Sequence, residues 1–455
     1  MLYTPVYSPP GAELLRLHPA RSRLPPSPCE SALARRTFRG AGTPIRGFTS
    51  RCPATIPTMT QGLDSSACAP PRDLADFSIA LVAGLGLAVT ALFLFAVPFA
   101  GNMAGSRDFV SYWATGRQLA QHANPYDRDA ISRIEHGAGL DLRGVLIMRN
   151  PPWALPLAYP LGFLGLRLAA ILWSLLLLGC LLVSVILVRG LHGSPPNHVH
   201  WLGLAFTPAL ICLTMGQTSL LALLGLVLFL RYHRQRPFAA GLALWLCLLK
   251  PHLFLPFAAA LAAWIVFARA WRILAGAAAA LALSSALAFA IAPRAWAGYA
   301  AMLRSPLLEN EFIPCLADAL RHWFWPQHPA ARFLLVLPAC LWALGYYWRR
   351  RRQWDWTRHA SPLMLAALLT APYCFLYDQC LAVPALMDAA YRTRSRHLLT
   401  VLAALLLVLD AQLAAVRIVS AWYLWTAPAW CAWYFLAARS QPGPACRAAT
   451  AEEPA

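Results

Sequence analysis

Apolar runs about as long as a bilayer is thick recur along this chain from residue 77 onward, and they limit its possible folds more than any other feature. Segments 77–98, 168–188, 271–291 and 401–416 approach or exceed the roughly 20 residues that a helix needs to cross a hydrocarbon core. Composition points the same way. The chain is 59% hydrophobic and 13% charged, with a mean hydropathy of +0.52, whereas soluble domains average about 45–50% apolar and about 25% charged residues. No long polar stretch after residue 100 offers material for a separate soluble core. The reading is an all-α polytopic membrane protein whose transmembrane domain fills residues 71–440.

The net charge of +19 does not indicate nucleic acid, because the arginines fall in short clusters between apolar runs and form no basic face with interleaved aromatics. Twelve cysteines are scattered without CxxC spacing, and Cys180, Cys212, Cys247 and Cys340 sit inside apolar runs, where they read as small hydrophobes. Neither a metal site, nor a disulfide framework, nor a bound cofactor is expected. Residues 1–70 are rich in Pro, Ser and Arg and poor in acids, so they are expected to stay disordered, or residues 1–58 to precede a true start at Met59. Residues 441–455 are expected to be a disordered tail.

Downstream candidate spans follow at 152–164, 168–188, 199–215, 218–231, 238–249, 253–267, 271–291, 333–348, 362–373, 381–390, 398–416 and 419–436. Several are short for a crossing, which implies tilt or helices broken at protein-lined cavities. The arginine clusters 231–236, 269–272, 349–358 and 392–396 should be cytoplasmic, and the mixed-charge loops 101–150 and 293–332 extracytoplasmic. This sidedness fails unless one apolar segment between 150 and 349 does not cross. Segment 152–164, interrupted by Pro156 and Pro160, is the candidate for a re-entrant or surface element, and about 11–13 crossings then remain.

The stretch 106–127, SRDFVSYWATGRQLAQHANPYD, carries the most information. Phe109, Tyr112, Trp113 and Leu119 recur at helical spacing after Ser106, a suitable N-cap, so an amphipathic helix on the membrane surface is expected, with Asp108 in its first turn. There the helix dipole favours the ionised carboxylate that a general base requires; ordinary capping explains such an acid equally well. Lys250 is the sole lysine of the chain. Flanked by Leu248, Leu249 and Pro251, it is either a phosphate-binding point charge or a residue snorkelling to the interface. Gln217, after Gly216 between two apolar runs, suits a sugar hydroxyl or the backbone of a broken helix. Asp127 follows Asn-Pro-Tyr and reads as a turn residue, Asp410 and Arg417 read as a structural pair, and Trp323, Trp325, Trp422 and Trp425 read as interfacial anchors.

The stretch DFVSYWATGRQLAQHANPYD resembles the first-loop signature of glycosyltransferase family 87, the polyprenyl-phosphate-mannose-dependent mannosyltransferases of the C-type glycosyltransferase fold. Similarity continues through RNPPWALPLAYPL (149–161), MGQTSLLALLGLVLFL (215–230), AGLALWLCLLKPHLFLPF (240–257) and TAPYCFLYDQCLAVPAL (370–386). The resemblance implies a plasma-membrane enzyme with an extracytoplasmic site. It would transfer a hexose, mannose by analogy, from a polyprenyl-phosphate donor to a lipid or glycan acceptor, inverting and without a metal. Asp108 would be the general base; Lys250, Gln217, Tyr112, Arg117, Tyr377 and Asp378 would contact substrate, and membrane lipids would be the remaining partner. Tyr377 and Asp378 stand where many relatives carry a histidine-containing segment, so Asp378 is only a reserve candidate for acceptor binding. A secondary transporter or lipid flippase is the rival class. Most acids lie in the two outer loops, however, while transport coupling favours midplane acids, of which Asp410 is the chief instance.

Overall fold

A computed structural model of the chain describes residues 108–139, 145–305, 311–393, 395–416 and 418–439. The span expected at 77–98, the leader and tail, Ser106 and Arg417 lie outside the described residues. Those described are helical and contain no strand, and the protein is an all-α polytopic membrane protein. Among the described residues, four helices, Leu166–Leu191, Trp271–Ile291, Pro329–Gln353 and Arg396–Ala415, are long and apolar enough to cross a membrane. Shorter apolar helices lie between them at His200–Met215, Ser219–Tyr232, Pro237–Cys247 and Leu255–Phe267.

Leu166–Leu191 shows how sequence becomes architecture. Trp173, Leu177, Leu181, Ser184 and Val188 are buried at helical spacing, whereas Leu172, Leu175, Leu176, Val183 and Ile186 are exposed. In water such a leucine face would be unstable, but against lipid tails it costs nothing, so only the inward stripe needs protein partners.

The loops sort to two ends. Tyr126 meets Tyr299 with ring centroids 5.4 Å apart, Trp153 meets Trp296 at 6.0 Å, and Arg149 pairs with Glu311, so the loops 101–150 and 293–332 share one end. At the other end, Arg234 pairs with Asp355 at 3.2 Å and His192 with Asp388 at 2.9 Å, bringing arginine clusters together. Residues 152–163 form three consecutive short helical turns, Pro152–Ala154, Leu155–Ala158 and Tyr159–Phe163. At about 1.5–2 Å rise per residue they are too short to cross.

The structure corrects the expected surface helix. Phe109–Ala120 is buried on nearly every side, with ten of its twelve residues inside. Its small residues are the reason: a Cβ on Gly116 would lie 2.3 Å from the Ala158 carbonyl oxygen, and one on Gly162 would lie 2.0 Å from the Gly116 oxygen. Backbone-to-backbone contact with Tyr159–Phe163 therefore covers the face that a hydropathy pattern reads as polar. The next helix, Arg128–Gly137, is the amphipathic one, burying only Ala130, Ile131 and Glu135. Asp410 is exposed on Arg396–Ala415, and its expected partner Arg417 lies outside the described residues. Trp323, Trp325 and Trp422 are exposed beside helix ends, as interfacial anchors are.

Candidate active site

Helix ends and turns at the end that carries the two long loops bring polar side chains together. Asp108 is the N-cap of Phe109–Ala120 and its side chain makes no cap bond, so the carboxylate is left for other partners. Gly216 closes Thr207–Met215 in the left-handed conformation at φ 75°. A Cβ there would lie 2.7 Å from Phe109 Cβ, so glycine is required both by the turn and by its closeness to the residue after Asp108. Trp173 Nε1 donates to the Gly216 carbonyl at 2.7 Å and pins that turn. Lys250 is set by Pro251, because the residue before proline is driven out of the helical region; its φ is −137° and its ψ 67°. Asp378 lies in the turn Leu376–Ala382.

These residues form a chain of hydrogen bonds. Gln217 Nε2 donates to Asp108 Oδ2 at 2.7 Å. The Gln217 Oε1 accepts Tyr112 OH at 3.0 Å and Lys250 Nζ at 3.0 Å. Lys250 Nζ also donates to Asp378 Oδ1 at 2.7 Å and sits 4.8 Å from the centroid of the Tyr377 ring, a cation–π contact. Asp378 further accepts Ser219 Oγ at 2.5 Å and the backbone N–H of Phe375 at 3.0 Å. Behind the chain, Asn150 Nδ2 bonds the Leu249 carbonyl at 2.9 Å and Thr218 Oγ1 at 3.3 Å, and Tyr126 OH bonds the Asn150 carbonyl at 3.0 Å.

The electrostatics divide the two carboxylates. The Asp378 carboxylate holds the only lysine in a buried ion pair, so its charge is spent. Asp108 has a neutral amide as its side-chain partner, and burial raises its pKa above the usual carboxylate value, partly opposed by the Gln217 bond and by the more distant Lys250 and Arg149. A carboxylate with raised proton affinity is suited to accept a proton. Burial works against the Lys250 ammonium, yet the Asp378 carboxylate outweighs it and the pKa is raised.

Of the residues singled out from sequence, Asp108, Tyr112, Gln217, Lys250, Tyr377 and Asp378 are thus assembled in one site. Arg117 is not among them: its guanidinium donates to the Gly162 carbonyl at 3.1 Å and lies 5.9 Å from the Trp113 ring, two turns along the helix. Asp378 is the counter-ion of Lys250 and not a free acceptor ligand. Asp127 caps Arg128–Gly137, accepting from Asp129 N and Ala130 N, which gives the turn residue a structural function. Glu311 is engaged by Arg149. Sequence reading overlooked Asn150 and Ser219, common polar residues with no spacing to mark them. It also overlooked Arg149, half exposed and close enough to influence Asp108, and His252, whose ring lies 3.9 Å from that of Tyr373 and is pushed down to about 3 by burial, hence neutral. Among the described residues, no three His, Cys, Asp or Glu side chains are grouped to hold a metal ion.

Against known proteins, residues 149–384 match the family model of glycosyltransferase family 87. The matched part contains Arg149, Gln217, Lys250, Tyr377 and Asp378; Asp108 precedes it. No curated protein and no solved structure matches the chain.

Proposed function

The chain belongs to glycosyltransferase family 87, and from that premise we propose that it transfers mannose from a polyprenyl-phosphate donor to a hydroxyl of a lipid or glycan acceptor, inverting the anomeric carbon. The observation that carries this reading is the division of labour between the carboxylates: one, Asp378, is neutralised by Lys250, and the other, Asp108, is held by a neutral amide and has raised proton affinity.

In this mechanism Asp108 takes the proton of the acceptor hydroxyl as that oxygen bonds to the anomeric carbon. The bond from that carbon to the donor phosphate oxygen breaks, and polyprenyl phosphate leaves as the anion. Gln217 orients the Asp108 carboxylate. Lys250 and Arg149 face the charge that develops on the leaving phosphate, the place where preorganised donors lower a barrier most. With Asp378 as counter-ion, Lys250 is held at one position and need not be ordered by substrate. The arginine asymmetry supports an orientation with the site outside the cytoplasm and the arginine-rich end within, and the plasma membrane is the membrane we assign.

Purified full-length protein in nanodiscs should move label from radiolabelled polyprenyl-phosphate mannose to extracted envelope lipids and glycans, and the product linkage should have the opposite anomeric configuration to the donor. Transfer from a nucleotide sugar but not from the lipid phosphate would overturn the donor assignment.

A further inference from the structure

At the far end of Phe109–Ala120 from Asp108, the chain turns back into Arg128–Gly137 and leaves an open cleft of about 410 Å³. This lies within the range of about 300–1,000 Å³ typical of small-molecule sites. Gln118, Gln121, Asn124, Asp127 and Arg133 line it, with Ile134 among its apolar contributors. We propose that the cleft is a carbohydrate-binding subsite that holds part of a glycan acceptor remote from the reacting hydroxyl. The inference rests on the acceptor being a glycan, as the transferase reading allows.

The lining favours a neutral polyhydroxyl ligand. Gln118 is 4% exposed as a whole residue yet lines the cleft, and its carboxamide offers both a donor and an acceptor. Asn124 spends Oδ1 on the Tyr126 amide and keeps its NH₂ group. Asp127 spends Oδ1 on the cap of the following helix and keeps Oδ2. The cleft therefore presents both donors and acceptors, and a sugar hydroxyl acts as both. Asp127 and Arg133 balance in formal charge, which disfavours a phosphate or other anion.

The cleft is also preformed. Asn124 lies against Gly298, where a Cβ would approach Asn124 Oδ1 to 2.5 Å, and the ring of Tyr126 packs on Tyr299 at 5.4 Å. Its walls are thus tied to the helix Ala295–Leu303 of the second long loop, and little ordering is needed on binding. The intervening helix sets the distance: at 1.5 Å per residue, Gln121 lies about 20 Å from Asp108. A single sugar at the base does not reach the cleft, whereas an oligosaccharide does. Recognition there selects acceptors by length.

The test is binding of a neutral α-manno-oligosaccharide to full-length protein in nanodiscs by saturation-transfer NMR. Gln121→Ala combined with Arg133→Ala, both at exposed positions, should raise Kd by about tenfold, equivalent to about 1.4 kcal/mol, and Gln118→Met should do so as well. Asp108→Asn should bind like the native chain, because the cleft is separate from the base. Absence of oligosaccharide binding by the native chain, unchanged binding in the Gln121/Arg133 variant, or loss of binding in Asp108→Asn overturns the proposal. Intact binding with no transfer from the polyprenyl-phosphate donor would sink the donor reading and leave the cleft. Intact transfer with no cleft binding would do the reverse.

Discussion

Replacing Lys250 by methionine should strand a buried carboxylate. Asp378 is 2% exposed and accepts from Lys250 Nζ, Ser219 Oγ and the Phe375 amide; of these three, only the lysine carries charge. Removing one member of a buried ion pair costs about 3–5 kcal/mol. Against a total stability of about 5–15 kcal/mol, Lys250→Met should therefore fold but be much weakened. Adding Asp378→Asn removes the stranded charge and should recover most of the loss. Unfolding by sodium dodecyl sulfate in mixed micelles, followed by tryptophan fluorescence, reads these differences. With folding restored, the double variant isolates function: losing a charge-assisted contact of about 1.5–3 kcal/mol should weaken donor binding about tenfold to hundredfold. A single-variant penalty below about 1 kcal/mol, or no recovery with Asp378→Asn, would refute the buried-pair account.

The Gln217 amide bond lowers the proton affinity of Asp108 while burial raises it, so Gln217→Leu should move the acidic limb of the kcat/KM profile to higher pH and reduce turnover at neutral pH; an unmoved limb would detach Gln217 from the base. Glu135 is buried in the first long loop, where desolvation raises its pKa to about 7, and its Oε1 has no hydrogen-bond partner among the described residues. The folded state therefore holds a proton that the unfolded state has released, and stability should fall as pH rises from about 4.5 to about 7. Glu135→Gln should abolish that slope in thermal unfolding, and a slope that persists would assign it to another group. A cysteine at Gln121 should react with a membrane-impermeant maleimide in intact cells while one at Gln353 does not, and the reverse labelling would invert the proposed orientation.

Much of the site is legible in the sequence because unusual residues mark it. A sole lysine between leucines and a proline, a glutamine after a glycine amid apolar residues, and an acid ahead of a helix each depart from what a membrane helix tolerates, and all three meet. Their partners are less legible. Asn150 and Ser219 are unremarkable in type, and only folding brings Asn150 to Leu249 or Ser219 to Asp378. Asp378 misleads as a lone acid because its partner lies 128 positions away. The burial of Phe109–Ala120 was not legible either. Its amphipathic spacing matches that of an interfacial helix, and the contact that buries it is backbone against backbone at Gly116 and Gly162, which no hydropathy pattern records. Arg117 enters the expected site only through the family resemblance, and the helical turn aims it at Gly162 instead.

Asp108→Asn tests the central claim most directly. The substitution keeps the shape and the packing of the N-cap and removes proton acceptance, and loss of a general base costs about 10²–10⁴-fold in rate. Measured on purified protein in nanodiscs, with donor binding followed separately, turnover should fall by that factor while donor affinity stays within about twofold of native, a change of only about 0.4 kcal/mol. Near-native turnover would contradict the assignment of Asp108 as the base, and loss of donor binding together with turnover would reduce it to a residue that shapes the site.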